Sequence, residues 1–350
     1  MDAFELVRKA TQKLKLFVFY WRRIVFVKNH FKVSPWNKLK ANIFGGYLAD
    51  QWALYDLDMN KKKEYLSEFD WYRSRYINDP FDEMLNNKII ATEVLRQYIR
   101  VPEIFLVSSK GVLSDFSGKE VSIKDALEMI REKKDIIIKP FKKGKGVGVN
   151  RIAFDNGAFV IDGQTASEQE VASLLAKHKD WFLSEVVYQH PYAEKLYDQT
   201  VNTIRIITLR SPETGKMKVF FAVQRVGTSR TIPVDNASRG GLVCKIDLES
   251  GRLSYARSIQ NSVIYETHPD SGTRFEDVVI PNWEGLKEEI LELCNKFPYL
   301  QFVAWDVVIL PDGTNCVIEA NTSSGVNIIQ VWGGQRNGKL GEFYRYHGVI

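Results

Sequence analysis

The segment DEMLNNKIIATEVLRQYI, from Asp82, sets Met84, Leu85, Ile89, Val94, Leu95 and Tyr98 on one broad stripe, the spacing of an amphipathic helix. Pro102 stops it, and IFLV at 104–107 reads as a strand. Ser122 stands where it can cap a helix over IKDALEMIREKK. DIIIKP is a short apolar run suited to a buried strand. A glycine-rich loop follows, then a second strand, VNRIAF. A helix over 168–177 and a strand over WFLSEVV (181–187) come next. Beyond them VNTIRIITL, KVFFAVQRV and GLVCKIDL are strands, WEGLKEEILELCNKF is a helix, and WDVVILPDGTNCVIEAN is a hairpin. Residues 47–77, rich in Tyr, Trp and Asp, predict helices joined by loops. Helices alternate with strands in mid-chain and antiparallel strands dominate after it. The pattern predicts an α+β fold of separate lobes, not one doubly wound sheet.

Composition changes this picture little. The 350 residues suffice for about two domains, and 45% hydrophobic with 26% charged residues is ordinary for a globular chain. Cys244, Cys294 and Cys316 lie far apart with no CxxC pair, which disfavours a disulfide framework or zinc site and suits a reducing cytosol. The apolar run LFVFYW is broken at Arg22 and Arg23, too short to span a bilayer. We expect a cytoplasmic chain. Charge is unevenly spread: residues 1–40 carry ten Lys or Arg against Asp2 and Glu5, so the rest of this +5 chain is net −3. A slightly acidic body argues against nucleic acid as a partner. The basic end has two readings. It is an ordinary helix packed on the body, or an interfacial helix touching the inner face of a membrane through Phe17, Phe19, Trp21 and Phe26.

In IIIKPFKKGKGVGVNRI, Gly144, Gly146 and Gly148 alternate with Lys145 and Val147. No Gly-Lys-Ser/Thr closes the loop, and a strand follows, so neither a Walker A loop nor a dinucleotide fingerprint fits. A strand–glycine loop–strand flap can lay backbone N–H groups over phosphates. Lys142, Lys143 and Lys145 add mobile positive charge, while Lys139, ending three isoleucines, has its stem held. The alternative is a surface hairpin with solvated lysines.

The closing hairpin carries the sharpest signal. Asp312-Gly313 is a strong reversal signal. Centring the turn between them sets Asp306 opposite Glu319, and Asn321 shares their face by strand alternation. Opposed like charges destabilise a sheet, and burial raises the cost. A hard cation such as Mg²⁺ relieves the conflict. Pairing of the acids with Arg205 or Arg225, or protonation of one, relieves it too.

These motifs, in this order, resemble the ATP-grasp superfamily. QHP at 189–191, VNTIRIITL at 201–209 and the WDVVI…VIEAN ending are most similar to its sugar-transfer-associated proteins, themselves similar to amino-acid ligases. The resemblance spans roughly residues 45–330 and implies two α+β lobes gripping ATP. It divides the chain into a basic helical region (1–80), a first lobe with the flap (81–187) and a second lobe with the metal-binding hairpin (188–350). By this resemblance Lys88 and Lys139 hold the α- and β-phosphates, and Lys145, Gly146 and Gly148 cover the nucleotide. Glu185, with the backbone of Val186 and Val187, meets the adenine edge. Asp306, Glu319 and Asn321 hold Mg²⁺, and Arg205 and Arg225 face the γ-phosphate and an acyl phosphate. Asn202, His190 and Asn236 are candidates for the acceptor side, with His190 either a base for the amine or a structural residue. The family often has an acid before its first lysine, where this chain has Asn87. The implied activity is ATP-dependent joining of a carboxylate to an amine, on small or sugar-linked substrates of surface polysaccharides. The rival expectations are phosphoryl transfer to a sugar hydroxyl and a non-catalytic, membrane-docked ATP-binding partner.

Overall fold

The computed structural model describes residues 3–141, 148–177 and 179–350. Six helices precede the first strand: α1 (Ala3–Tyr20), α2 (Pro35–Gly45), α3 (Ala49–Leu54), α4 (Glu68–Ser74), α5 (Asp82–Asn86) and α6 (Lys88–Leu95). The last two were expected as one helix. Asn87 divides them, because its side-chain oxygen accepts from the N–H groups of Ile89 and Ile90 and so caps α6. An N-cap has non-helical backbone, and Asn87 sits at φ −91°, ψ 112°. Lys88 is thereby the first residue of a helix.

The first sheet holds β1 (Ile104–Ser109), β2 (Val112–Ser114), β3 (Asp135–Pro140), β4 (Asn150–Asp155), β5 (Ala158–Ile161), β6 (Gln164–Ala166) and β7 (Trp181–Glu185), in the order β2-β1-β7-β3-β4-β5-β6. Its pairings are antiparallel. Ile136, Ile138, Ile152 and Leu183 bury one face against Leu127 and Ile130 of α7 (Ile123–Lys133) and Val171 and Leu175 of α8 (Glu168–Lys177). Ser122 and Asp125 form the capping box that starts α7.

A short helix, α9 (Pro191–Leu196), leads to the second sheet. It contains β8 (Ile204–Arg210), β9 (Met217–Val226), β10 (Leu242–Ile246), β11 (Leu253–Ser258), β12 (Ile264–Tyr265), β13 (Phe302–Ile309) and β14 (Asn315–Asn321), ordered β12-β11-β10-β9-β8-β13-β14. One face, with Ile204, Ile206, Trp305 and Val307, packs on α10 (Trp283–Asn295) and also on Leu85 and Leu95 of α5 and α6. The other, with Ile207, Phe221, Val223 and Ala304, packs on Leu66, on Ile329 of α11 (Asn327–Gln330) and on Phe343 of α12 (Lys339–Tyr346). Side chains alternate between faces along a strand. Arg205, Arg225 and Asp306 therefore share the second face and stand where its apolar packing ends.

Candidate active site

The hairpin reaches the expected pairing by a different path. Leu310 N–H donates to Thr314 O at 2.8 Å and Gly313 N–H to Leu310 O at 2.9 Å, with Gly313 in the left-handed region at φ 86°. This reversal is one residue off a two-residue turn, so Ile309 faces Asn315 and Val307 faces Val317. A β-bulge then adds Ile318 to β14 and restores the step, leaving Asp306 opposite Glu319 and Ala304 opposite Asn321. The bulge also explains why Val317 and Ala320 both join the α10-side core.

Asp306 is 2% exposed and its charge is balanced by arginine. Arg205 donates from Nε and Nη2 to its two oxygens at 2.7 and 2.6 Å, and Arg225 adds a bond at 3.2 Å. Arg225 is shared with Asp235 at 2.7 Å, which also accepts from the backbone N–H and hydroxyl of Thr203. Burial alone would raise the Asp306 pKa, but the two guanidinium groups outweigh it and hold the carboxyl below its ordinary value. Of the reliefs expected for this acid, guanidinium pairing is seen among the described residues. A depressed folded-state pKa contributes stability that is complete above the unfolded value of about 3.9 and lost as pH falls through the lower folded value. Asp306→Asn strands the Arg205 guanidinium and leaves Arg225 with Asp235 alone, and losing one partner of a buried pair costs about 3–5 kcal/mol. Thermal melts should show the variant well below wild type at pH 7, with the gap closing in acid once Asp306 itself protonates.

Glu319 is less committed. Lys88 Nζ meets its Oε1 at 3.0 Å, and its side chain is 32% exposed. Asn86, two residues before Lys88, exchanges hydrogen bonds with Thr322 just past β14 and so ties the start of α6 to that strand. Asn321 makes no side-chain hydrogen bond among the described residues, which also hold no group of three or more His, Cys, Asp or Glu side chains placed to hold a metal ion by themselves. A magnesium ion needs oxygen ligands and is commonly held by one or two carboxylates plus phosphates. Glu319 and Asn321 fit that chemistry as they stand. Asp306 fits it once an arginine releases one of its oxygens.

Lys139, at the end of β3, brings the first sheet to the same place. Burial comes first in pulling its pKa down; nearby Glu319 pulls up and Lys88 pushes down. It forms no ion pair among the described residues. Four cations (Lys88, Lys139, Arg205, Arg225) thus gather with three carboxylates (Glu319, Asp306, Asp235), an excess of positive charge where the two sheets approach each other. Lys145 and Gly146 lie outside the described residues. Gly148 holds φ 77°, which favours glycine.

Glu185 ends β7, but both its oxygens take the Arg100 guanidinium at 2.5 Å, and one accepts from Glu103 N–H at 3.0 Å. The C=O of Arg100 accepts from Val317 N–H at 2.9 Å, so this pair ties the first sheet to β14. Val186 and Val187 follow with no backbone–backbone hydrogen bond among the described residues, an open edge a planar base could use. Neither Arg100 nor Asp235 stood out in the sequence. An Arg before a strand carries no pattern, and Asp235 was overlooked beside Asn236.

The acceptor-side candidates have structural duties. His190 caps α9: its Nδ1 accepts from Tyr192 N–H at 3.2 Å, which leaves the ring proton on Nε2 and favours the structural reading over a base. Asn202 is buried and uses its full capacity, donating to Ala193 O and Tyr197 O and accepting from the Thr200 hydroxyl and Gly227 N–H. Asn236 caps the turn at 237–239 by accepting from Ser238. Burial pushes the Cys316 thiol up to about 12, so it is no nucleophile.

Residues 69–339 match the family described as sugar-transfer associated ATP-grasp. No curated protein matches. Among solved structures, D-alanyl-alanine synthetase A from Vibrio cholerae O1 biovar eltor aligns at 13% identity and TM-score 0.43, over 75% of this chain and 63% of that one. L-amino acid ligase from Bacillus licheniformis aligns at 12% identity and TM-score 0.40, over 71% and 44%. The chain therefore spans less than two thirds of the length of these structures. Their likeness is remote, and the family match carries the assignment. The chain belongs to the sugar-transfer-associated ATP-grasp family, and its two antiparallel sheets are the lobes of an ATP-grasp fold.

Proposed function

We propose that the chain is an ATP-dependent carboxylate–amine ligase acting through an acyl phosphate. The observation that carries this reading is Lys139, half-buried at the end of a first-sheet strand, near Glu319 and Lys88 and without an ion pair among the described residues. A desolvated cation without a partner is costly, and a polyanion bound beside it repays that cost. Lys88 and Lys139 bind the phosphates, and Val186 and Val187 line the base. Glu319, Asn321 and Asp306 would hold Mg²⁺, which neutralises phosphate oxygens when bound. Arg205 and Arg225 stabilise charge on the transferring phosphoryl group; Arg225 stays held by Asp235 when an Asp306 oxygen is released to the metal.

The substrate carboxylate oxygen attacks the γ-phosphorus and the bond to ADP breaks. An amine nitrogen then attacks the acyl carbon, phosphate leaves with the bonding pair, and the nitrogen gives up a proton. No described residue is placed as its base, since Asn202 and His190 are committed elsewhere, so solvent or phosphate takes the proton. The acid and amine are small or sugar-linked molecules of surface-polysaccharide biosynthesis, a reading supported by the family alone.

A panel of uronic and amino acids crossed with amines tests the activity. Free phosphate appearing one-for-one with ADP, and only when both an acid and an amine are present, is the expected outcome. A phosphorylated product with ADP but no free phosphate would establish phosphoryl transfer to a hydroxyl instead.

A further inference from the structure

The N-terminal helix α1 turns its polar and aromatic side toward the body. Gln12 donates to Asp79 at 3.1 Å, Phe19 packs on Tyr72 with ring centroids 5.7 Å apart, and Tyr20 packs edge-on to Phe69 and donates to Asn42 O. The opposite side is apolar and bare. Leu6, Val7, Leu14, Phe17, Val18 and Trp21 are all exposed, Leu14 and Phe17 at 64% and 63%. At 3.6 residues per turn they fall within about a third of the helix circumference. Lys9 and Lys13 flank this stripe on one side, Arg8, Lys15 and Arg22 on the other. Of the 23 large hydrophobic residues exposed among those described, ten lie between Leu6 and Ile43, a small part of the chain. Trp36, Leu39 and Ile43 repeat the pattern on α2 at helical spacing.

A soluble helix normally buries its apolar stripe and shows water its charges; this one leaves its apolar stripe exposed beside its charges. An apolar face bordered by lysine and arginine is the arrangement of a helix lying in a lipid interface. The helix does not cross the bilayer, since no described helix is long and apolar enough. We propose that α1 docks this protein on an anionic bilayer surface, with Leu14 and Phe17 seated among the acyl chains and the flanking basic residues against lipid phosphates and carboxylates. The charge complementarity is local: residues 1–40 carry +8 while the rest is net −3, so a negative surface draws this end alone. Phe19, a residue the sequence offered to the membrane, belongs to the packed side.

The test is co-sedimentation of the full chain with vesicles of phosphatidylserine and phosphatidylcholine, about 3:7, against phosphatidylcholine alone. Binding is expected to the anionic vesicles and to weaken as salt rises. The double variant Leu14→Glu/Phe17→Glu should lower it at least about tenfold. So should Lys9→Gln/Lys13→Gln/Lys15→Gln, which leaves the apolar stripe intact. All these residues are exposed, so unchanged thermal melts certify folding. No binding to anionic vesicles, or equal binding by wild type and the Glu variant, overturns the proposal. A concentration-dependent dimer in sedimentation velocity that Phe17→Glu abolishes, without vesicle binding, overturns it too and gives the face to a second copy.

Discussion

Glu319→Gln is expected to abolish most Mg²⁺-dependent turnover while leaving the fold in place. The substitution keeps shape and one acceptor oxygen but removes the charge a hard cation needs. Loss of partners outside the ligand shell alone costs about 10–100-fold, so a ligand itself should cost at least about 100-fold. The expected signature is a drop in kcat that added Mg²⁺ restores only in part. Glu319 is partly exposed and its one ion pair is with Lys88, so the melting temperature should move little. Full turnover at limiting Mg²⁺ would remove Glu319 from the ligand set. The contrast with Asp306 is deliberate: that acid sits under two guanidinium groups, and its loss should appear first as instability. Two acids that look alike on the sheet thus answer differently to the same change.

Lys139→Ala should weaken ATP binding about 10–100-fold, the equivalent of about 1.5–3 kcal/mol for a hydrogen bond to a charged group. Stability should hold or rise. Lys139 has no ion pair to lose among the described residues, and desolvation already works against its charge, so removing the ammonium relieves that cost. Lys139→Met, which keeps the apolar stem, separates packing from charge. Titration calorimetry of nucleotide binding beside a thermal melt reads both effects. Lower affinity with unchanged or higher melting temperature supports a binding role held at the expense of stability. Unchanged affinity would mean that the lysine is merely solvated.

Long periodic segments were the most legible part of the chain. The β3 strand after its apolar run, α7 behind Ser122 and α10 appear as the patterns predict. The short strands β2, β5, β6, β11 and β12 are not among those the sequence pattern predicts. They hold two to six residues and pair in tight hairpins with the strands next to them in sequence, runs too short for alternation to stand out. The helix over 82–98 broke at Asn87 because a capping hydrogen bond overrode a continuous stripe.

The hairpin shows the limit most clearly. The sequence by itself determined that Glu319 and Asn321 share one face, because alternation is local, and that an Asp-Gly reversal brings Asp306 near them. It did not determine how the register is reached: the turn is displaced by one residue, and the bulge at Ile318 corrects it. The bulge is set by the need to bury Val317 and Ala320 in one core, a tertiary demand. Nor could the sequence assign partners. Arg205 and Arg225 on Asp306, Arg100 on Glu185, and Lys139 left unpaired are outcomes of which side chains the two sheets bring together. Charge pairing depends on distance in space, and only the assembled lobes fix those distances.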